Sequence, residues 1–394
     1  MYIHTDILVI GAGPIGLSFA RQFKNSSLRV TVLEKSPLNA IQFPSFDGRE
    51  VAITHTTKAI LKKLGIWDLI PAQEIYSLKD ACVINGNSDY KLCFEQPTHA
   101  RGEPIEQLGF LVSNYLIRLA CYQSVENLPN IHLLTGKTVE KLQVDQNGVA
   151  VTLTDGTHLQ AKLLVASDGR FSSIRQKAGI PCDQHQFGRS VICFRMRHEL
   201  TNQHRACECF YYGHTLAILP LEETLSSMVV TIDTDRIHEI LEQSAEDLAQ
   251  AIFLQTKGKL GHLQMASDKY TYPLVGIHAK RFYANRIALI GDAAVGMHPV
   301  TAHGFNLGIL SVANLSSLVL EAAERGRDIG DETLLQRYNL KQQAKTRPLY
   351  YGTHFLVKLY TNETFFARLL RHTLLHAGNR LEPFKKLVTH QLTG

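Results

Sequence analysis

Near its start the chain reads Asp6-Ile-Leu-Val-Ile10-Gly11-Ala-Gly13-Pro-Ile-Gly16, and this stretch restricts the fold more than any other. An apolar run ahead of the glycines suits a short buried strand. Three glycines at this spacing allow a tight turn and let the backbone come close to a pyrophosphate, and a following helix, expected over residues 15–24, aims its unpaired N–H groups at that anion. A second strand is expected over 29–33, ending on Glu34, where a carboxylate accepts hydrogen bonds from the adenosine ribose hydroxyls. Strand, glycine loop, helix and strand make a βαβ opening, so the expected class is α/β, with a Rossmann-type dinucleotide-binding domain around a parallel sheet.

Further along, helices are expected over 56–64, stopping at Gly65, and over 113–124. A hairpin-rich set of strands is expected over 139–164, with a turn at Asp155-Gly156. Between 183 and 272 strand-like alternation dominates, interrupted by one helix over 245–254 that Ser244 and Asp247 are placed to cap. Nucleotide-type signals resume over 286–292, a long helix follows over 304–324, and the chain beyond Glu332 reads as helical. The domain reading is therefore a discontinuous dinucleotide-binding domain (1–75, 106–182 and 276–330), an inserted β-rich substrate domain (76–105 and 183–275) and a helical C-terminal region (331–394).

The net charge of +5 is too small to argue for nucleic acid, and its placement says more. From Lys341 to the end, nine basic and two acidic side chains leave an excess of seven, so the C-terminal region is the basic part. Phe355, Leu359, Phe366, Leu369 and Leu370 fall near one helical face there, with Lys358, Arg368 and Arg371 among them. Such a face packs on the body or meets anionic lipid. No apolar run is judged to reach the ~18–20 residues of a membrane span, and the N-terminus lacks the basic stretch of a secretory signal. The seven cysteines fit no metal-ligand spacing and are expected as thiols in a reducing cytoplasm.

The glycine motif does not separate NAD from FAD. Two later segments do: Ala166-Ser-Asp168-Gly169-Arg-Phe-Ser-Ser-Ile-Arg175 and Arg286-Ile-Ala-Leu-Ile-Gly291-Asp292-Ala-Ala-Val-Gly-Met-His298-Pro299-Val-Thr-Ala-His303-Gly304-Phe305-Asn306. With the opening motif, in this order, the chain resembles the class A flavoprotein monooxygenases of the p-hydroxybenzoate hydroxylase-like fold, and within them the ubiquinone-biosynthesis hydroxylases (the UbiH/UbiF/VisC group). Asp47-Gly-Arg49, Leu219-Pro220-Leu221 and Tyr272-Pro273-Leu274 extend the resemblance over nearly the whole chain.

The resemblance implies a glutathione reductase-like FAD domain and hydroxylation of an aromatic ring by reduced flavin and O₂ through a C4a-hydroperoxide. NAD(P)H is the implied transient donor, and the implied substrate is a polyprenylated phenol or quinol. Gly11, Gly13, Gly16, Glu34, Lys35 and Arg49 would hold the ADP half; Asn114 would make a polar FAD contact; Val139 would meet the adenine through its backbone. Asp168 and Gly169 would line the groove handling FAD and nicotinamide, and Gly291 and Asp292 would bind the ribityl side. Pro299, His303, Gly304, Phe305 and Asn306 would face the flavin ring, with Pro299 and His303 the candidate catalytic positions; no metal is implied. A peripheral membrane contact through the C-terminal region, a cytoplasmic location at the inner membrane face and a ubiquinone-biosynthesis complex belong to the same expectation.

The chain departs from the family pattern at Val295, where a histidine is usual, at Ala302-His303-Gly304, where Gly-Gln-Gly is usual, and at Ser311, where an acid is usual. UbiM-type hydroxylases look compatible with this variant loop. The alternatives left open are a hydroxylase of soluble phenols and a non-catalytic FAD- or prenyl-binding relative. A halogenase fits poorly, since Trp67 is the only tryptophan.

Overall fold

The computed structural model describes residues 2–85, 91–94, 99–100, 103–104, 106–211, 213–298 and 303–361. The strand that opens the glycine motif, Ile7–Ile10, is buried along its whole length, because it lies inside a six-stranded sheet with neighbours on both sides. The order is Ile131–Thr135, Val30–Glu34, Ile7–Ile10, Leu163–Ala166, Ile287–Leu289 and Tyr283–Ala284. The first five run parallel and the last antiparallel. Parallel strands covered on both faces need near-continuous apolar runs, and the buried Ile-Leu-Val-Ile and Leu-Leu-Val-Ala stretches supply them.

Helix Pro14–Arg21 begins with proline just inside its first turn, and the long helix Gly304–Glu324 packs against it. The long helix is apolar and long enough to cross a membrane by length and composition, which corrects the expectation that no such stretch exists. Here Ile309, Val312, Leu315 and Val319 are buried in the main core, so the helix is a core element of this fold. Helix His55–Leu64 is capped by Thr54, whose hydroxyl accepts from the Thr57 N–H, and ends on Gly65 in the left-handed conformation (φ 71°). A four-stranded sheet (Tyr2–His4, His158–Ala161, Val149–Leu153, Val139–Val144) lies on this body, with Gly156 (φ 79°) in its tight turn.

The second large sheet is built around the strand Cys182–His198, which pairs with Leu225–Asp233, Tyr270–Ala279 and Leu263–Met265. It continues through His214–Pro220, Arg205–Phe210, Asp80–Asn85 and Lys91–Phe94, so the segment near residue 80 joins strands more than 100 residues later. One face is covered by helix Ala245–Gln255, whose Leu248 and Ile252 pack on Ile192, Phe194, Leu216 and Met228. Ser244 caps that helix, its hydroxyl accepting from the Asp247 N–H at 3.0 Å. The opposite face turns toward the first domain. Strands Cys182–His198 and Tyr270–Ala279 run unbroken through the positions read as domain limits, 183 and 275. The C-terminal helix Glu332–Thr361 packs against Gly304–Glu324, and its Leu359 reaches Phe210 of the second sheet.

The cysteine expectation is corrected as well. Cys82 and Cys93 stand directly opposite each other on antiparallel strands and form a disulfide, their Cα atoms 4.2 Å apart; Cys121, Cys182, Cys193, Cys207 and Cys209 remain thiols. Their spacing carried no signal because the pairing depends on a strand register that sequence does not state.

Candidate active site

The glycine loop separates two kinds of glycine. Gly11 has φ +105°, and a Cβ on it would lie 2.6 Å from the Ser167 carbonyl oxygen; one on Gly16 would lie 2.0 Å from the Gly11 carbonyl oxygen. Both are required by packing of the loop against its own domain. A Cβ on Gly13 would meet nothing within 4 Å, so the space in front of the helix N-terminus is open. Glu34 sits beside this opening. Its Oε2 accepts from the Ala12 N–H at 2.8 Å and its Oε1 from the Ser36 N–H at 2.9 Å, which fixes the carboxylate at the strand end with lone pairs to spare. Lys35 next to it is exposed. Ser167 ties the loop down by donating to the Ile10 and Gly11 carbonyls at 2.8 and 2.9 Å.

Asp168 is engaged with the turn that follows: it accepts from the Ser172 hydroxyl, the Ser173 hydroxyl (3.3 Å) and the Ile174 N–H (3.2 Å), while Gly169 takes φ +83°. Val139 begins the outer strand Val139–Val144 and is half-buried.

Gly291 and Asp292 follow the strand Ile287–Leu289 in a short 3₁₀ turn. A Cβ on Gly291 would lie 3.0 Å from Ile15, and one on Gly308 2.6 Å from the same side chain, so the first turn of Pro14–Arg21 packs at Ile15 against the second turn of Gly304–Glu324 and the Gly291 turn. Asp292 pairs with Arg170 at 2.9 Å, and Arg170 also donates to the Val275 carbonyl at 3.1 Å. Asn306 fastens the long helix to the strand Glu50–Ile53, accepting from the Thr54 N–H (3.1 Å) and donating to the Ala52 carbonyl (2.9 Å). Gly304 leads the helix with nothing within 4 Å of an added Cβ, and Phe305 is half-buried on the core.

His303 occupies the helix N-cap, where burial holds its pKa below the ordinary histidine value. Ser311, in place of the usual acid, accepts from the Gly291 N–H and donates to the Gly308 carbonyl at 2.6 Å. Val295 is buried in a short strand paired with His278. Pro299 and Ala302 lie outside the described residues.

A third group forms where the two sheets meet. Arg49 pairs with Asp47, stacks 4.8 Å from the Tyr272 ring centre, and shares Asp47 with Asn114, which donates to it at 2.8 Å. Arg49 and Asn114 are thus brought together at the junction of the two domains, whereas the glycine loop holds Glu34. Beside them Arg195 of the second sheet pairs at 2.6 Å with Glu50, whose side chain is fully buried, and reaches Ser113. Of the aromatic triplet singled out in sequence, Phe210 faces Leu359, Tyr211 points the other way and donates to the Gln255 carbonyl, and Tyr212 lies outside the described residues.

Sequence reasoning missed Arg170, Glu50, Arg195 and Ser167; Ser167, Arg170 and Glu50 each adjoin a named candidate, whereas Arg195 had no local signal.

These features fit FAD. Open space at Gly13 in front of a helix N-terminus would accommodate a pyrophosphate, with the Glu34 carboxylate held at the strand end by the Ala12 N–H of the same loop. The second N-terminus, at Gly304, would offer unpaired N–H groups and a positive dipole end to the electron-rich edge of a reduced flavin. Sheet ends and helix N-termini converge at the carboxyl ends of parallel strands, where open α/β sheets bind ligands.

Comparison with known proteins agrees. The model of the FAD binding domain family matches residues 4–349. The chain is 52% identical to the ubiquinone hydroxylase UbiM of Neisseria meningitidis, covering 100% of this chain and 86% of that one. It is 31% identical to the ubiquinone hydroxylase UbiL of Rhodospirillum rubrum, covering 99% and 89%. Among solved structures, p-nitrophenol 4-monooxygenase PnpA from Pseudomonas putida superimposes with a TM-score of 0.79 at 19% identity, covering 100% and 99%.

Proposed function

This chain belongs to the FAD binding domain family of flavin-dependent monooxygenases, and from that premise we propose that it is a ubiquinone-biosynthesis hydroxylase acting on a polyprenylated phenol or quinol. The observation that carries the site assignment is the packing of two helices near their N-terminal ends, at Ile15 and Gly308, with open space at Gly13 and Gly304. When bound, FAD accepts electrons from NAD(P)H and activates O₂ for insertion into an aromatic ring.

The chain's own residues do the rest. Gly13 and Glu34 would hold the pyrophosphate and ribose; Asp292, paired with Arg170, would take the ribityl side; the Gly304 N-terminus would stabilise the reduced ring. His303, kept toward its neutral form by burial, is a hydrogen-bonding group at that N-terminus. The second sheet closes the ring side from water, fastened to the FAD domain by Arg195–Glu50 and by Tyr272, whose hydroxyl donates to the Asp47 carbonyl. The test is incubation of the FAD-loaded protein with NADPH, ¹⁸O₂ and a short-chain prenylphenol. A product heavier by one ¹⁸O supports the reading; peroxide alone, with every phenol tried, contradicts it.

A long prenyl tail partitions into lipid, and the basic excess of the C-terminal region suits an anionic surface. The proposal therefore includes a cytoplasmic protein in peripheral contact with the inner membrane face, receiving substrate there and working beside other enzymes of the same route. Phe355 in the described part of this region is exposed. Lys358 is exposed and Leu359 packs on Phe210, while Phe366, Leu369, Leu370, Arg368 and Arg371 lie outside the described residues. Truncation after Thr361 keeps the packed Leu359 and is expected to abolish co-sedimentation with anionic vesicles; undiminished binding of the truncated, yellow protein rejects membrane contact through this segment.

A further inference from the structure

Strand register sorts the side chains of the second sheet into two faces. Arg195, Ser227 and Leu219 form one row across three strands; Cys193, Val229, Ala217, Glu208 and Val83 form the next across five; Val191, Thr231, Thr215 and Phe210 form a third. All three rows lie on one face: its Arg195–Tyr272 end turns to the FAD domain, and its Phe210–Val83 end meets Leu359 of the C-terminal helix. Arg195 there reaches Glu50, Tyr272 opposite Val191 reaches Asp47, and Phe187, packed in the same cluster, sits 4.9 Å from the ring of His298 at the edge of the flavin loop. The helix Ala245–Gln255 covers the other face.

Glu208 is the only carboxyl in these rows, on the fourth of the five strands that its row crosses. Its direct neighbours across the sheet are Ala217 and Val83, both small and apolar. Among the described residues no cation influences it: burial pushes its pKa up to about 8, and Thr215 donates a hydrogen bond. A lone carboxyl on an apolar face costs stability, and an apolar side chain there would pack better. Ala217 and Val83 present only short side chains around it, and Leu359 of the C-terminal helix packs beside it on Val83 and Phe210. Being largely protonated at neutral pH, it offers both an O–H donor and an acceptor oxygen.

We propose that Glu208, steadied by Thr215, is the polar anchor of the substrate pocket and hydrogen-bonds the hydroxyl of the phenol that is to be oxidised. The proposal rests on the hydroxylase reading above and names the group that orients its substrate. It makes Glu208 a positioning and specificity residue: a site built to hydrogen-bond a hydroxyl discriminates against the same ring with that hydroxyl masked.

The test titrates the FAD-loaded protein with a short-chain prenylphenol and with its methyl ether, following the flavin absorbance. Glu208→Leu, or Glu208→Ala where leucine prevents folding, is expected to weaken phenol binding roughly 10–100-fold while leaving the ether unchanged. Glu208→Gln, which keeps a donor and an acceptor, is expected to stay within about 3-fold of the parent, whereas in Glu208→Leu KM for the phenol should rise more than kcat falls. Equal phenol affinity in parent and Glu208→Leu overturns the proposal, as does an equal loss for phenol and ether. If the unaltered protein binds FAD but no phenol at all, the hydroxylase reading fails and this inference with it.

Discussion

Replacing Gly13 and Gly16 separately by alanine distinguishes a glycine kept for a ligand from a glycine kept for the fold. At Gly13 the backbone is extended (φ −70°, ψ 174°) and an added methyl touches no protein atom within 4 Å. Alanine is a poorer N-cap than glycine but reduces the freedom of the unfolded chain, so the apoprotein should change by no more than about 1 kcal/mol. The methyl occupies the space a pyrophosphate needs to reach the helix N–H groups. Loss of a charge-assisted bond is worth ~1.5–3 kcal/mol, so FAD affinity should fall roughly 10–100-fold. At Gly16 the methyl would stand 2.0 Å from the Gly11 carbonyl oxygen and 2.5 Å from the Ser167 hydroxyl, atoms of the loop itself. Overpacking of this kind costs ~1–3 kcal/mol or more, offset by up to ~1 kcal/mol of helix propensity. Urea denaturation of the apoproteins and quenching of FAD fluorescence on binding measure the two effects. The reasoning is refuted if Gly13→Ala binds FAD as tightly as the parent, or if it destabilises the apoprotein more than Gly16→Ala does.

Arg195→Met should cost ~3–5 kcal/mol by leaving the buried Glu50 carboxylate unpaired, and adding Glu50→Gln should recover most of it; an unchanged urea midpoint in the single variant would contradict the pairing of the two domains through this contact. His278 and His298 are both buried, chiefly by that burial and then by nearby positive charge (Arg347 and Arg189, respectively) holding their pKa values at about 4. Because the folded pKa is depressed, the stability they contribute is present above the unfolded value of ~6.5 and is lost as pH falls toward 4, up to ~3 kcal/mol each. The urea midpoint should drop over that window, less steeply in His298→Phe; a parent midpoint flat from pH 6.5 to 4 would oppose this. Alkylation of the denatured protein without reductant should label the five thiols and, after reduction, all seven cysteines, whereas seven labels before reduction would exclude the Cys82–Cys93 bond.

What sequence disclosed was mostly local. Ile7–Ile10, the glycine loop and Glu34 lie within 28 residues, and each step between them has a short-range cause: an apolar run, a required turn, a helix start. The helix Gly304–Glu324 and the Ser244 cap were legible for the same reason. The junction was not. Arg195 and Glu50 are 145 positions apart, and only the register of the second sheet brings them together. Glu208 reads as one more charged residue in an alternating strand until that register shows which way the strand faces. The resemblance placed Arg49 and Asn114 among cofactor-contacting residues; the structure adds that they share Asp47 at the domain junction and that Tyr272 belongs with them.

The central claim, that the two helix N-termini hold a flavin that oxidises an aromatic ring, is tested most directly by anaerobic stopped-flow reduction of the FAD-loaded protein. NADPH and NADH are mixed in turn, with and without a short-chain prenylphenol. The account predicts flavin bleaching that the phenol accelerates, followed by a hydroxylated product when O₂ is admitted. A protein that binds no FAD, or one whose reduced flavin returns only peroxide whatever phenol is present, would contradict it.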